Sequence, residues 1–226
     1  MTFPATREEV ETTQQQFYDY CRFPGVIGAI DGTHVYIQTP GGEQALYFLN
    51  RKKRYSVNVQ VVCDLAGKIS IVARWPGSTH DSRIFNESSL KEQLEARADG
   101  AEWLLGDSGY PCLPYLMTPL LNPQRRPQVP YNAAHKRGRC IIERTFGRLK
   151  RRFPCLNYLR LKVDTTFAII VFCSVLWNIS LGRHEPDIPG PEPEEMPPLV
   201  HLPPGLHDAV AGRLRREQII EDHFNR

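Results

Sequence analysis

Three acids stand out by where they fall: Asp31 inside an apolar run, Asp107 at the end of another, and Glu143 alone in a basic field. From Arg125 to Arg152 there are ten Lys/Arg residues against the single acid Glu143, so that stretch suits a polyanion while keeping one carboxylate for another purpose. An acid inside a buried strand is costly unless it is paired or binds a cation. Three carboxylates converging in a low-dielectric site would repel one another, and at least one would keep its proton. Divalent cations remove that conflict. Hard Mg²⁺ or Mn²⁺ favours carboxylate oxygens and leaves positions for water and substrate phosphate. Two such ions can stabilise the attacking and leaving oxygens of an in-line displacement at phosphorus. In that arrangement Asp31, in the stiffest element, bridges both ions, while Asp107 holds one and Glu143 the other.

The elements that must position these acids can be read from the pattern. Glu143 belongs to a helix expected from about Asn132 to Phe153, whose apolar positions Ile142, Phe146, Leu149 and Phe153 recur at steps of four, three and four. Asp31 interrupts Val26 to Thr39, read as a long central strand covered on both faces. His34 falls on the opposite face from Asp31 and reads as a hydrogen-bonded core histidine. Ser56 to Cys63 and Lys68 to Arg74 are two further strands, joined by a short loop ending in Gly67. Together the three form an antiparallel meander. Trp103 to Asp107 is a short strand ending on an acid, with the turn Ser108-Gly109-Tyr110-Pro111 opening beyond it, a common site geometry in open α/β sheets. Ser108 is placed to orient Asp107.

Helices are expected at residues 6–20, where Thr6 and Glu9 have capping-box spacing, at Ser88 to Ala98, and at Phe167 to Leu181, capped by Asp164-Thr165. Trp75 to Arg83 reads as a loop entering a short helix capped by Asp81. Pro119 to Pro130 reads as irregular. Beyond Gly182, eight of the nineteen prolines fall between Pro186 and Pro204 among acids, which marks an extended linker. Leu206 to Phe224 reads as an amphipathic terminal helix through Val210, Leu214 and Ile219. The expected organisation is a helical lead-in at 1–24, an α/β domain at 25–183, and a proline-rich acidic tail at 184–226.

At 226 residues with 41% hydrophobic content, the chain can bury one substantial core. None of its six cysteines forms a C-x-x-C pair, which argues for reduced, buried thiols instead of a zinc or disulfide framework. Met1 to Val10 has no signal-peptide core. The longest apolar run, Phe167 to Leu176, is too short to span a bilayer, so no membrane partner is expected.

The segments GAIDGTHV, NRKKRYSVNVQVVCD, WPGSTHDSRIF, GDSGYP and IERTFGRLKRRFP, in this order and spacing, resemble the catalytic domain of the PIF/Harbinger transposases. Within that family they are most similar to the transposase-derived nucleases of animals. The resemblance covers about residues 20 to 180. It implies an RNase H-like mixed sheet flanked by helices, and a metal-dependent DDE site whose acids fall on Asp31, Asp107 and Glu143. It sets His80 and Asp81 beside that site or facing DNA. Arg51, Lys52, Lys53, Arg139, Arg144, Arg148 and Lys150 are expected phosphate contacts. The implied function is a Mg²⁺- or Mn²⁺-dependent DNA endonuclease. The alternative is a domesticated, non-cleaving remnant that binds DNA or protein. The implied partners are DNA and a Myb-like protein that selects the site, and the implied locations are the nucleus and also the cytoplasm.

Overall fold

The computed structural model describes residues 3–97, 100–190 and 209–225. Its centre is β1, Val26–Ile37. β2 (Ser56–Cys63) pairs antiparallel with β1 from Ala29 opposite Cys63 to Tyr36 opposite Ser56. β3 (Ile69–Pro76) pairs antiparallel with β2, through a turn in which Gly67 has φ +81°. The expected meander is therefore present.

On the other side of β1 the pairing is parallel and interrupted. β4 (Trp103–Leu105) lies along the first part of β1, with Ala29 opposite Leu105. β6 (Tyr158–Leu159) meets only its far end, with Tyr36 opposite Tyr158. β5 (Leu116–Met117), unforeseen in the sequence, extends the sheet beyond β4 to the order β3-β2-β1-β4-β5. The result is a mixed sheet compatible with an RNase H-like fold.

Helices cover both faces, because β1 and β2 are apolar on both. One face packs Val57, Val59 and Val61 against Ile142, Phe146 and Leu149 of α4 (Gln128–Arg152) and Ile170 and Trp177 of α5 (Val163–Gly182). The other packs Ile27, Ile30 and Val62 against Phe85 of α2 (Asp81–Asn86) and Leu90 and Leu94 of α3 (Ser89–Glu95). α1 (Arg7–Cys21) carries the expected capping box between Thr6 and Glu9 and buries Phe17 and Cys21 beside Leu105 and Tyr131.

Several boundaries differ from the sequence reading for identifiable reasons. α4 begins at Gln128, so Pro130 lies in its first turn, where the missing N–H would have had no intrahelical partner. α5 begins at Val163, which puts Asp164 inside the first turn and not at the cap; a carboxylate there still faces the positive end of the helix. That earlier start makes α5 long and apolar enough to cross a membrane by length and composition, whereas the sequence reading took the run as too short. Here it is tied to the sheet: Trp177 Nε1 donates to Gly67 O at 2.8 Å, and the Asn178 amide bonds both Ile69 N and Ile69 O. Cys155 is exposed and Cys140 half-buried, so only four of the six thiols are buried as expected.

The terminal helix docks. α6 (Val210–Ile219) continues into a π-helical turn, Ile220–Phe224, and buries Ile219 and Ile220 against Phe23 and Tyr131. Val210 and Leu214, expected on its apolar face, are instead exposed. Arg125 is ion-paired to Glu217 and Glu221. Of the expected terminal helix and the linker before it, residues 191–208 lie outside the described residues. Gly212 is the closest point of approach: a Cβ there would stand 2.2 Å from the Cys112 carbonyl oxygen, a backbone atom that cannot move aside. Gly212→Val is therefore expected to undock α6 and cost about 1–3 kcal/mol, as overpacking does. Urea denaturation checks this, and an unchanged midpoint would contradict the docked position.

Candidate active site

Strand register brings the two aspartates to one corner. Ala29 and Leu105 are partners on parallel strands, and Asp31 and Asp107 each lie two residues further on. In a parallel pair that step keeps them level and on the same face. β4 has ended there, and β6 does not meet β1 until Tyr36. A notch is thus left beside Asp31, and α4 crosses it.

The first half of α4 is fastened to the chain around β5. The Tyr131 hydroxyl donates to Thr118 O at 3.0 Å, the buried His135 Nε2 to Met117 O at 3.0 Å, and the Asn132 amide bonds Leu120 N and O at 2.9 and 2.7 Å. Gly138 permits close packing, since a Cβ there would lie 2.5 Å from Leu105 Cδ1. From the next residue on, α4 points Arg139 and, one turn later, Glu143 at the notch.

Arg139 spans the acids. Its Nη1 donates to Asp31 Oδ2 at 3.0 Å and its Nη2 to Glu143 Oε1 at 2.5 Å. The other Asp31 oxygen accepts the Gly32 N–H at 2.7 Å. Asp107 Oδ1 accepts the Gly109 N–H at 2.8 Å. Asp31 and Asp107 are only 7% and 8% exposed, which dominates their acidity. Burial pushes the Asp31 carboxyl up to about 8; Asp107 adds to that shift and Arg139 opposes it. Burial also raises Asp107, against the Gly109 N–H and Arg139, with Glu143 adding slightly. Burial works against the Arg139 charge, yet Asp31, Glu143 and Asp107 more than offset it. All three acids and this arginine therefore share one electrostatic neighbourhood. Even so, among the described residues no three His, Cys, Asp or Glu side chains lie close enough together to hold a metal ion.

The other expected site residues divide by face. Asp81 lies against Gly32: a Cβ at Gly32 would be 2.5 Å from Asp81 Oδ1, on the side of the strand away from the Asp31 side chain. Asp81 accepts from Asn58 Nδ2 at 2.8 Å and is raised mainly by burial. It does not cap α2; His80 does, its Nδ1 accepting from Ser82 N. His80 still acts on Asp107, lowering its pKa. Ser108 is exposed, and the group that orients Asp107 is the N–H of Gly109. His34, on the Asp81 face, shares a 3.0 Å hydrogen bond with Ser56 Oγ; burial and then Lys150 hold its pKa down to about 4. Lys150 reaches β1 across the notch, donating to Thr33 Oγ1 and His34 O at 2.8 Å each, and burial lowers it to about 8.

Arg51, Lys52 and Lys53 are exposed in the turn before β2. Arg144 bonds the Tyr20 hydroxyl at 2.9 Å, and Arg148 pairs with Asp187 at 2.7 Å. Neither arginine faces the acids. The expected grouping missed the bridging role of Arg139, although its position four residues before Glu143 places both on one helix face.

Residues 30–178 match the family described as DDE superfamily endonuclease, a span containing Asp31, Asp107 and Glu143. The chain belongs to the DDE superfamily endonucleases. It is 38% identical over 234 residues to HARBI1 of Bos taurus and 37% identical over 234 residues to HARBI1 of Homo sapiens, proteins whose name marks them as candidate nucleases. Each of these alignments covers 99% of this chain and 66% of the relative, so the chain spans just under two thirds of their length. An Arabidopsis thaliana protein named ALP1-like is 28% identical over 203 residues, covering 82% of this chain and 49% of the relative. No solved structure matches this DDE chain.

The buried acids make stability depend on pH. Folding raises Asp31 from near 3.8 to about 8, so over that window the native state keeps a proton the unfolded chain has released. The associated stability is full below the lower value and is lost as pH rises through the upper one. Asp107 and Asp81, raised in the same direction, add to the loss. Denaturation of the protein in EDTA is expected to show falling stability toward pH 8, and Asp31→Asn to make the fall shallower. A slope unaltered by that substitution would contradict the burial argument.

Proposed function

We propose that this chain is the catalytic part of a divalent-metal-dependent DNA nuclease that hydrolyses phosphodiester bonds by a two-metal mechanism. What carries the reading is the convergence of Asp31 and Glu143 on one guanidinium, with Asp107 acting on the same charges, in a chain of DDE endonuclease family. The donor set fits a hard cation: every candidate ligand is a carboxylate oxygen, and the two aspartates are buried where ionising both is costly without a cation beside them. Asp31, Asp107 and Glu143 would hold the ions. Bound there, Mg²⁺ or Mn²⁺ would supply an activated water and neutralise charge on the leaving oxygen.

The chain's own groups do the rest. The Gly32 and Gly109 amides fix the rotation of the two aspartates. His80 favours the ionised, ligand-competent form of Asp107. Asp81 and Asn58 brace the strand at Gly32 from behind. The exposed Arg51, Lys52 and Lys53 offer phosphate contacts, and Arg51 is near enough to lower Asp81. A Myb-like protein is proposed as the partner that selects the DNA site, with action in the nucleus.

One observation favours a second reading, a DNA- or protein-binding remnant that no longer cuts: Arg139 fills the space between two of the acids. A plasmid cleavage assay separates the two. Cleavage is expected to require Mg²⁺ or Mn²⁺ and to fall by at least ~100-fold in Asp31→Asn, since even residues that only support metal ligands are worth 10–100-fold. Cleavage that persists in EDTA would overturn the metal mechanism, and DNA binding without cleavage would favour the remnant.

A further inference from the structure

We propose that Arg139 is the resident counter-ion of the acidic corner, holding Asp31 and Glu143 until a divalent cation displaces it. This rests on the metal-dependent reading above. The oxygens tell which contacts compete. Asp31 Oδ1 already accepts the Gly32 N–H, and Oδ2, the oxygen turned toward α4, is the one Arg139 holds. On the other side the same guanidinium takes Glu143 Oε1. It therefore occupies the space between the two carboxylates, where a cation ligated by both would have to sit. A guanidinium and a divalent ion compete for that position, because both would fill the space between these oxygens and they repel each other.

The arginine also has a reason to be there. It is 19% exposed, and its partner Asp31 is buried, so removing the arginine would leave a buried carboxylate without its counter-ion. The bridge holds the two carboxylates in one arrangement with no cation bound. Glu143 sits one helical turn from Arg139, so α4 carries both the ligand and its placeholder. Once displaced, the side chain stays within reach of the corner as a planar fork suited to a phosphate. Arg139 is thus a positioning residue whose removal has opposite effects on the two states: the metal-free protein loses an ion bridge, and the metal-bound protein loses a competitor.

The test compares the full chain with Arg139→Gln and Arg139→Lys, using Mn²⁺ binding followed by electron paramagnetic resonance and melting in EDTA or Mg²⁺. Arg139→Gln is expected to bind Mn²⁺ ~10-fold or more tightly than wild type, the scale of a charge-assisted hydrogen bond. It is also expected to melt lower in EDTA and to gain more from Mg²⁺. Arg139→Lys, a point charge that cannot fork across both acids, is expected to lie between the two. It carries the comparison if the glutamine variant does not fold without metal. A merely structural arginine gives the reverse sign, so unchanged or weaker Mn²⁺ binding in the variants overturns the placeholder while leaving the metal reading intact. Absence of Mn²⁺ binding in wild type and variants alike overturns the metal reading and the placeholder with it.

Discussion

A carboxylate in the middle of a sheet must be paired, protonated or ligated, and Asp31 forces that choice on this fold. Its strand is covered on both faces, so water cannot solvate the charge. The sheet leaves one edge of β1 without a strand neighbour between β4 and β6, and α4 brings Arg139 and Lys150 into that gap. The polar contacts of Tyr131, Asn132 and His135 with residues 117–120 then have a clear purpose: they set the depth at which α4 crosses. The apolar stripe of α4 gives adhesion to the sheet, and these bonds give it register. Without them a helix packed through Ile142, Phe146 and Leu149 alone could slide by a residue and turn Glu143 away from the corner.

Much of this was legible in the sequence because the strongest signals are local. The meander, the capping box on α1 and the short strand before Asp107 follow from alternation, turn residues and capping spacing, although that strand ends at Leu105 and not on the acid. β5 was missed because two residues cannot declare a strand; Leu116 and Met117 become one only by pairing with β4. The start of α4 was missed because proline is read as a breaker, although in a first turn it breaks nothing. The cap of α2 fell on His80 because Asp81 is drawn to Asn58 across the sheet, a contact between residues 23 apart that no local rule contains.

The site was legible as a set of acids and less so as an arrangement. Ser108 was the obvious neighbour to orient Asp107, yet a turn folds back through its main chain, so the Gly109 N–H arrives first. Arg139 was counted among phosphate contacts because a basic stretch reads as a single surface. The helix divides it. Taking Glu143 as the reference, Arg139 and Lys150 lie within roughly 40° of it around the axis, while Arg148 and Arg152 lie roughly 140° and 180° away.

That division also explains where the acidic residues after α5 go. Glu185 meets Arg152 at 2.8 Å and Asp187 meets Arg148 at 2.7 Å, both on the side of α4 turned from the corner. Arg148 also lies with its guanidinium 5.0 Å from the centroid of the Trp177 ring. These arginines are engaged in joining the segment after α5 to α4, with a solvent-exposed share that keeps each pair individually weak. The positive charge left facing the acids is therefore smaller than the sequence count suggests; two of the groups on that side are Arg139, on Asp31 and Glu143, and Lys150, on Thr33 and the His34 carbonyl. Both are already bonded to β1 or to its carboxylate, so any phosphate reaching the corner must exchange with an existing contact.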